Sequence, residues 1–346
     1  MTDGDAAMPD ITGDAIDRVC TIQAKNRGMP HNFLIRLYDA ARKLVNGRPI
    51  SAVAAEKLKE TVGKGDVVLF LTGAGLKPIL PEGESDGPPG AAALARTLYR
   101  GLGAIPVYVL ERHHARPVIA SSHSLGLMVK EFSEARDFHL GAAIEYAPPL
   151  QDGVPAWVED VLERYKPKAI VCTERIGPGK DGVLHSATAM ALSDFDPTPG
   201  AVVDTAPLVE EARKRGILTI GIGDHGNEIG FGAIYDTVVE TMPKGEILAT
   251  TTATDVVFPV MMSNWGCYGI QAVLAFLLKR PELMHTPAQE ERMLRDCLNA
   301  GGLEASYCTT DFIVDGLEGE TSMACVQFLG NIVRKNLEPV SKGLAH

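Results

Sequence analysis

No two cysteines of this chain stand in a CxxC pair. The six, Cys20, Cys172, Cys267, Cys297, Cys308 and Cys325, are scattered through 346 residues. That spacing argues against a zinc ribbon or a thioredoxin-type motif and reads as reduced, mostly buried thiols. Basic residues are also in deficit, 33 Lys and Arg against 44 Asp and Glu, for a formal net charge of −11. A nucleic-acid partner rewards clustered cations, so none is expected, and an anionic membrane surface gains no support. A small anionic substrate stays open, because a local pocket can oppose the global charge. No run reaches the ~18–20 uninterrupted apolar residues of a membrane span. The longest, around Trp265 to Leu278, is broken by Gly266, Gly269 and Gln271. The stretch from Met1 to Asp17 is acidic and lacks an apolar core, unlike a secretory signal or an Arg-rich transit peptide. Cytoplasm is the expected compartment.

What is present is ordinary globular material, 45% hydrophobic and 22% charged. Residues 1–62 predict a helical extension. Apolar residues recur at three- and four-residue spacings from Asp14 and again from Asn32 to Arg42, and Ser51 is placed to cap a third helix. This segment suits a cap or a subunit-contact arm, so a homo-oligomer is in view.

Residues 63–346 predict a single α/β catalytic unit. Short apolar runs that read as buried strands begin at Val67, Ile105, Ala142, Ala169, Ile217 and Asp255. Helical stretches separate them, from Gly90 to Gly103, near Trp157 to Tyr165, from Val209, and a long apolar one from about Trp265. The alternation predicts a mostly parallel sheet with helices on both faces, a Rossmann-like three-layer architecture. In such sheets ligands sit beyond the carboxyl ends of the strands.

Five loops at those ends carry candidate chemistry. Gly73 opens the first, in which Glu84 and Asp86 precede Gly87 and Gly90 at a helix start. Glycines there admit close backbone approach, and free helix N–H groups suit an anion. Equally, the loop reads as a solvated turn with Asp86 as a cap. Glu174 and Arg175 end a strand, where Arg can grip a carboxylate at two points, or the two can pair and order the loop. The run from Gly221 to Gly232 surrounds Asp224, His225, Asn227 and Glu228 with glycines. Its acids suit an oxygen-ligated Mg²⁺ or Mn²⁺ held by Asp224 and Glu228, or a substrate amine, with His225 as a candidate general base. Asn264 opens the long apolar helix as ligand or cap, and Asp315-Gly316 is a turn signal. His113 and His114 follow a strand and read as solvated surface histidines.

Two tempting motifs fail. Thr72-Gly73-Ala74-Gly75 lacks the third glycine of a dinucleotide fingerprint, and Pro78 spoils the helix that should follow, so no nucleotide cofactor is expected. Asp194-Phe195-Asp196 resembles the opening of a haloacid-dehalogenase-type phosphatase, but it follows a polar stretch instead of ending an apolar strand.

In chain order the loops resemble those of the D-glutamate cyclase family. The matching pieces are Glu84 to Leu94, Glu174 to Gly177, Gly221 to Gly232, Ser263 to Gly266 and Val314 to Leu317, over about residues 65–335. The resemblance implies conversion of D-glutamate to 5-oxo-D-proline with loss of water, assisted by a divalent ion such as Mn²⁺. For such a substrate, Asp224 and Glu228 are expected to hold either a metal or the amine, with Asn227 positioning the substrate. The family loop usually reads Gly-Asp-Gly-Gly-Asn-Glu, so His225 is a departure that can retune the substrate. The resemblance also implies that vertebrate enzymes carry a second, hydratase-like domain, which is not expected within these residues.

Such a reaction needs a base, an oxyanion stabiliser and a clamp for the α-carboxylate. Arg175 and the N–H groups from Gly87 to Gly90 are the expected clamp, and Glu84, Asp86 and His225 the candidate bases. A hydrolase or lyase on a related dicarboxylate or lactam, and a carboxylate-binding protein without catalysis, are the alternatives.

Overall fold

We describe the protein from a computed structural model covering residues 3–338 other than 26, 27, 74, 77, 196, 199 and 200, with backbone alone for residues 3–7. The chain opens with α1 (Asp3–Cys20), α2 (Phe33–Leu44) and α3 (Ile50–Thr61). The first half of the sheet follows as β1 (Val67–Leu71), α4 (Pro88–Leu102), β2 (Ile105–Leu110), α5 (Ala115–Ser124), α6 (Phe132–Phe138) and β3 (Ala143–Tyr146). The second half runs α7 (Val154–Tyr165), β4 (Ala169–Thr173), α8 (Leu192–Phe195), α9 (Ala206–Lys214), β5 (Leu218–Gly223), α10 (Tyr235–Thr241), α11 (Gly245–Leu248) and β6 (Val256–Pro259). Then come α12 (Ser263–Leu277), α13 (Pro287–Asn299), the small hairpin β7 (Ile313–Val314) and β8 (Leu317–Glu318), and α14 (Gly319–Leu337).

The sheet order is β3-β2-β1-β4-β5-β6 and every pairing in it is parallel. The chain works outward from β1 to β3, then returns to place β4 on the other side of β1. Connections leaving β1 and β4 therefore diverge to opposite faces and open a crevice at their carboxyl ends, where doubly wound sheets bind ligands. The strands read as continuous apolar runs because both faces are covered. Val68 and Phe70 join the core under α1, α3, α4, α12 and α14. Val67, Leu69 and Leu71 face Val158 and Leu162 of α7 and Val209 of α9. This is the three-layer Rossmann-like arrangement that the alternation predicts.

Helices α1 to α3 share the larger core. Ile16, Leu37 and Leu58 are buried in the same cluster as Phe70 and Ile220. Ser51 does not cap α3: Pro49 holds that place and Ser51 is buried in the first turn. The apolar run from Trp265 becomes the central helix α12, buried from Ser263 to Phe276. Among the described residues no helix is long and apolar enough to cross a membrane.

Candidate functional site

A cavity of about 330 Å³ lies at the carboxyl ends of β1, β4 and β5. Its walls carry the carboxyl groups of Glu84, Asp86, Glu174, Asp224 and Asp315, together with His225 and Asn227. Loops of widely separated sequence meet there, and glycine lets them. Gly87 has φ of +98°, and a Cβ on it would come within 2.8 Å of both Glu174 Cβ and Thr72 Oγ1. Glu174 and Asp315 themselves adopt left-handed backbone, φ 50° and 47°, a strain that clusters at binding sites.

Two helix starts are locked together under the cavity. Asp86 Oδ1 accepts from the N–H groups of Gly87 and Asn264 at 3.0 and 2.8 Å, and Oδ2 accepts from Ser263 N at 2.8 Å. Asn264 Oδ1 in return accepts from Gly87 N and Gly90 N at 3.0 and 2.7 Å. Each side chain thus caps the other's helix. This corrects the expected clamp at Gly87 to Gly90, since those N–H groups already have partners. Gly90 serves packing, as a Cβ there would meet Asn264 Cα at 2.8 Å. Asn264 is a cap, not a ligand.

Arg175 also departs from expectation. It is buried away from the cavity, and its guanidinium bonds Glu111 at two points, 2.7 and 2.8 Å. Thr205 Oγ1, Val203 O and Gly73 O accept its other donors. With every donor matched, nothing remains to grip a substrate. Gly73 serves this network through its carbonyl and is absent from the cavity lining. His114, expected in solvent, is buried with Nδ1 3.2 Å from Glu111 Oε2, and His113 Nε2 lies 2.9 Å from Ala201 O. Of the phosphatase-like run, Asp196 lies outside the described residues.

The loop after β5 closes on Glu228. Its Oε1 accepts from the N–H groups of Asp224 and His225 at 3.2 and 3.0 Å, and Oε2 from Gly226 N at 2.7 Å. Glu228 does not line the cavity. It shapes the turn that presents Asp224, His225 and Asn227. Asp224 Oδ1 pairs with His225 Nδ1, while Oδ2 lies 3.6 Å from Lys25 Nζ. Lys25 also pairs with Asp315, both at the carboxylate and at the carbonyl, the latter at 2.9 Å. Asn227 donates from Nδ2 to His185 O at 2.9 Å, and its Oδ1 is buried with no hydrogen-bond partner.

Burial and mutual repulsion divide the carboxyl groups into two classes. Burial raises Glu84 well above the ordinary range, reinforced by Asp86 and Asp224. Glu174 is raised in the same way by burial and then by Asp224 and Glu228. Asp86 is pushed up to about 6 by burial and Asp224, against its N–H donors. Glu228 rises to about 7, from burial and then Asp224. Asp224 is the exception: burial would raise it, but His225 and Lys25 hold it below the ordinary range. One cavity therefore holds carboxyl groups pushed above the ordinary range beside one held below it, the separation that acid–base chemistry requires.

Two groups of side chains bring candidate metal-ligand atoms within 4.8 Å of one another, Asp224, His225 and Glu228, and Asp86, Asp224 and Asp315. Their oxygen-rich donors suit a hard divalent cation. As folded, however, the atoms are engaged. Glu228 and Asp86 each accept three backbone N–H bonds, Asp224 is paired with His225 and Lys25, and Asp315 with Lys25. Asp224 belongs to both groups, and an ion there would have to displace Lys25 or His225, so the present arrangement does not fit one.

Sequence reasoning missed Lys25, which reaches the site from the connection between α1 and α2, and the wall built by Ile176, Ser186, Thr188 and Phe195 after β4. Lys25 bears no local signal. The second segment is legible only as an unusually long connection between β4 and α9.

The model of the family described as "D-glutamate cyclase-like, C-terminal" matches residues 16–330. Human "D-glutamate cyclase, mitochondrial" is 26% identical over 203 residues, which cover 57% of this chain and 30% of that protein. The chain thus spans less than a third of the length of this relative.

Proposed function

The chain belongs to the D-glutamate cyclase-like family, and on that premise we propose that it is a lyase closing D-glutamate to 5-oxo-D-proline with release of water. The observation carrying this reading is the small cavity at the sheet's switch point, lined both by Glu84, raised well above the ordinary carboxyl range, and by Asp224, held below it. Its size suits a compact metabolite.

The substrate ammonium is assigned to the unpartnered Asn227 Oδ1, on the wall it shares with Asp86. Asp86 is the base. Its Oδ1 accepts two N–H bonds and Oδ2 one, so Oδ2 keeps a lone pair, and a group pushed up to about 6 is matched to proton transfer near neutrality. Glu84 is the acid: its carboxyl is raised well above the ordinary range, and no described residue hydrogen-bonds it. His225 takes the place expected of Arg175. With Nδ1 on Asp224, its Nε2 is left for the α-carboxylate.

In the reaction the amine nitrogen bonds the γ-carbon and one γ-carbon–oxygen bond breaks. Of the three ammonium protons one stays on the lactam nitrogen. Two leave with the γ-oxygen as water, relayed by Asp86 and Glu84. Holding the substrate folded is much of the task, since the attack is intramolecular. The family resemblance implies Mn²⁺; the side chains as folded do not offer it a place, and no step here uses one. Proton NMR of the protein with D-glutamate, L-glutamate and 5-oxo-D-proline tests the proposal. Lactam from the D-isomer is expected, and a folded protein inert toward all three would remove it.

A further inference from the structure

We infer that the Lys25 ammonium is the resident cation of the cavity, seated where a divalent ion would otherwise be held. Asp224 belongs to both candidate ligand groups, so an ion in either must share it. Asp224 Oδ2 is 3.6 Å from Lys25 Nζ, and Asp315, in the second candidate group, is paired with the same ammonium. The Lys25 side chain is 6% exposed, which makes it a built-in partner and not a surface charge that wandered in. Asn227 Oδ1, buried and unpartnered beside these carboxylates, marks a place that a cationic or donor group is meant to complete. An ammonium and a divalent ion cannot both occupy the gap between Asp224 and Asp315, because like charges at that separation repel strongly inside a protein.

Two consequences follow for this chain. Divalent ions should not bind the intact site, and removing the ammonium should leave two buried carboxylates needing a cation, which Mn²⁺ can supply through oxygen ligands. Lys25 is thus a positioning residue. It acts by holding Asp224 and Asp315 in place.

The test is a titration of full-length protein with Mn²⁺, following the free ion by electron paramagnetic resonance, without substrate. Wild type and Lys25→Arg should show no stoichiometric uptake. Lys25→Gln should bind one Mn²⁺ at least tenfold more tightly, and Lys25→Gln/Asp224→Asn should lose it. One Mn²⁺ bound by wild type as tightly as by Lys25→Gln, and lost in Asp224→Asn, would overturn the inference. So would a folded Lys25→Gln that takes up none. Should Lys25→Gln fail to fold, wild type and Lys25→Arg decide the matter. The readout is ion binding alone, so its failure is distinct from failure of the cyclase reading.

Discussion

Replacing Arg175 with Met removes the cation from a pair that is buried on both sides, each side chain about 2% exposed. Glu111 would keep Val203 N at 2.9 Å and His114, but lose the guanidinium fork. Removing one partner of a buried pair typically costs about 3–5 kcal/mol, because the other charge is left uncompensated. At the low end of the usual ~2–4 °C per kcal/mol for larger domains, that is a fall in Tm of roughly 6–10 °C. The loss depends on pH in a definite direction. Burial alone would raise Glu111, but Arg175 and His114 hold its carboxyl well below 4.5. A depressed carboxyl contributes stability in full above its unfolded value and loses it as pH falls. The gap between wild type and Arg175→Met should therefore be complete at pH 7 and close as the pH drops below about 4.5. Glu111→Gln/Arg175→Met should recover part of the loss, since no lone charge remains. Thermal unfolding by circular dichroism from about pH 2 to about pH 8 reads all three variants. Unchanged Tm at pH 7 combined with a large rise in KM for D-glutamate would refute the reasoning and return Arg175 to the substrate.

Glu84→Gln keeps shape and removes the acid, so kcat should fall about 10²–10⁴-fold while Tm at pH 8 holds or rises, as measured on one preparation. His225→Ala should raise KM for D-glutamate with kcat largely kept; equal loss in both parameters would assign His225 to the chemistry instead. Glu228 is pushed up to about 7 in the fold against 4.5 unfolded. Its contribution to stability is full below about 4.5 and lost as pH rises through about 7, so Tm should decline over that window. Gly223→Ala would place a Cβ 2.7 Å from the Glu228 carboxyl carbon. It should cost about 1–3 kcal/mol and loosen the turn bearing Asp224, seen as faster amide exchange there.

The sheet was legible because strands covered on both faces must be apolar along their length, as Val67–Leu71 and Ala169–Thr173 are. Glu84, Glu174 and Asp224 were legible as candidates because they stand in glycine-rich loops at strand ends, although the same pattern also picked out Glu228, which shapes a turn. Partners were not. Arg175 finds Glu111 64 positions away at the end of β2, and Asp86 finds Asn264 178 positions away. Neighbouring residues in the sequence, Glu174 for Arg175, offered a nearer and mistaken match. Lys25 was hidden for the same reason, since only tertiary packing brings the α1–α2 connection over β5.

D-Glutamate doubly labelled with ¹⁸O in its γ-carboxyl tests the central claim most directly. Wild type should form 5-oxo-D-proline that retains one label while the other appears in water, and Glu84→Gln should form it about 10²–10⁴-fold more slowly. Label remaining wholly in unreacted D-glutamate, from protein shown to be folded, would contradict it.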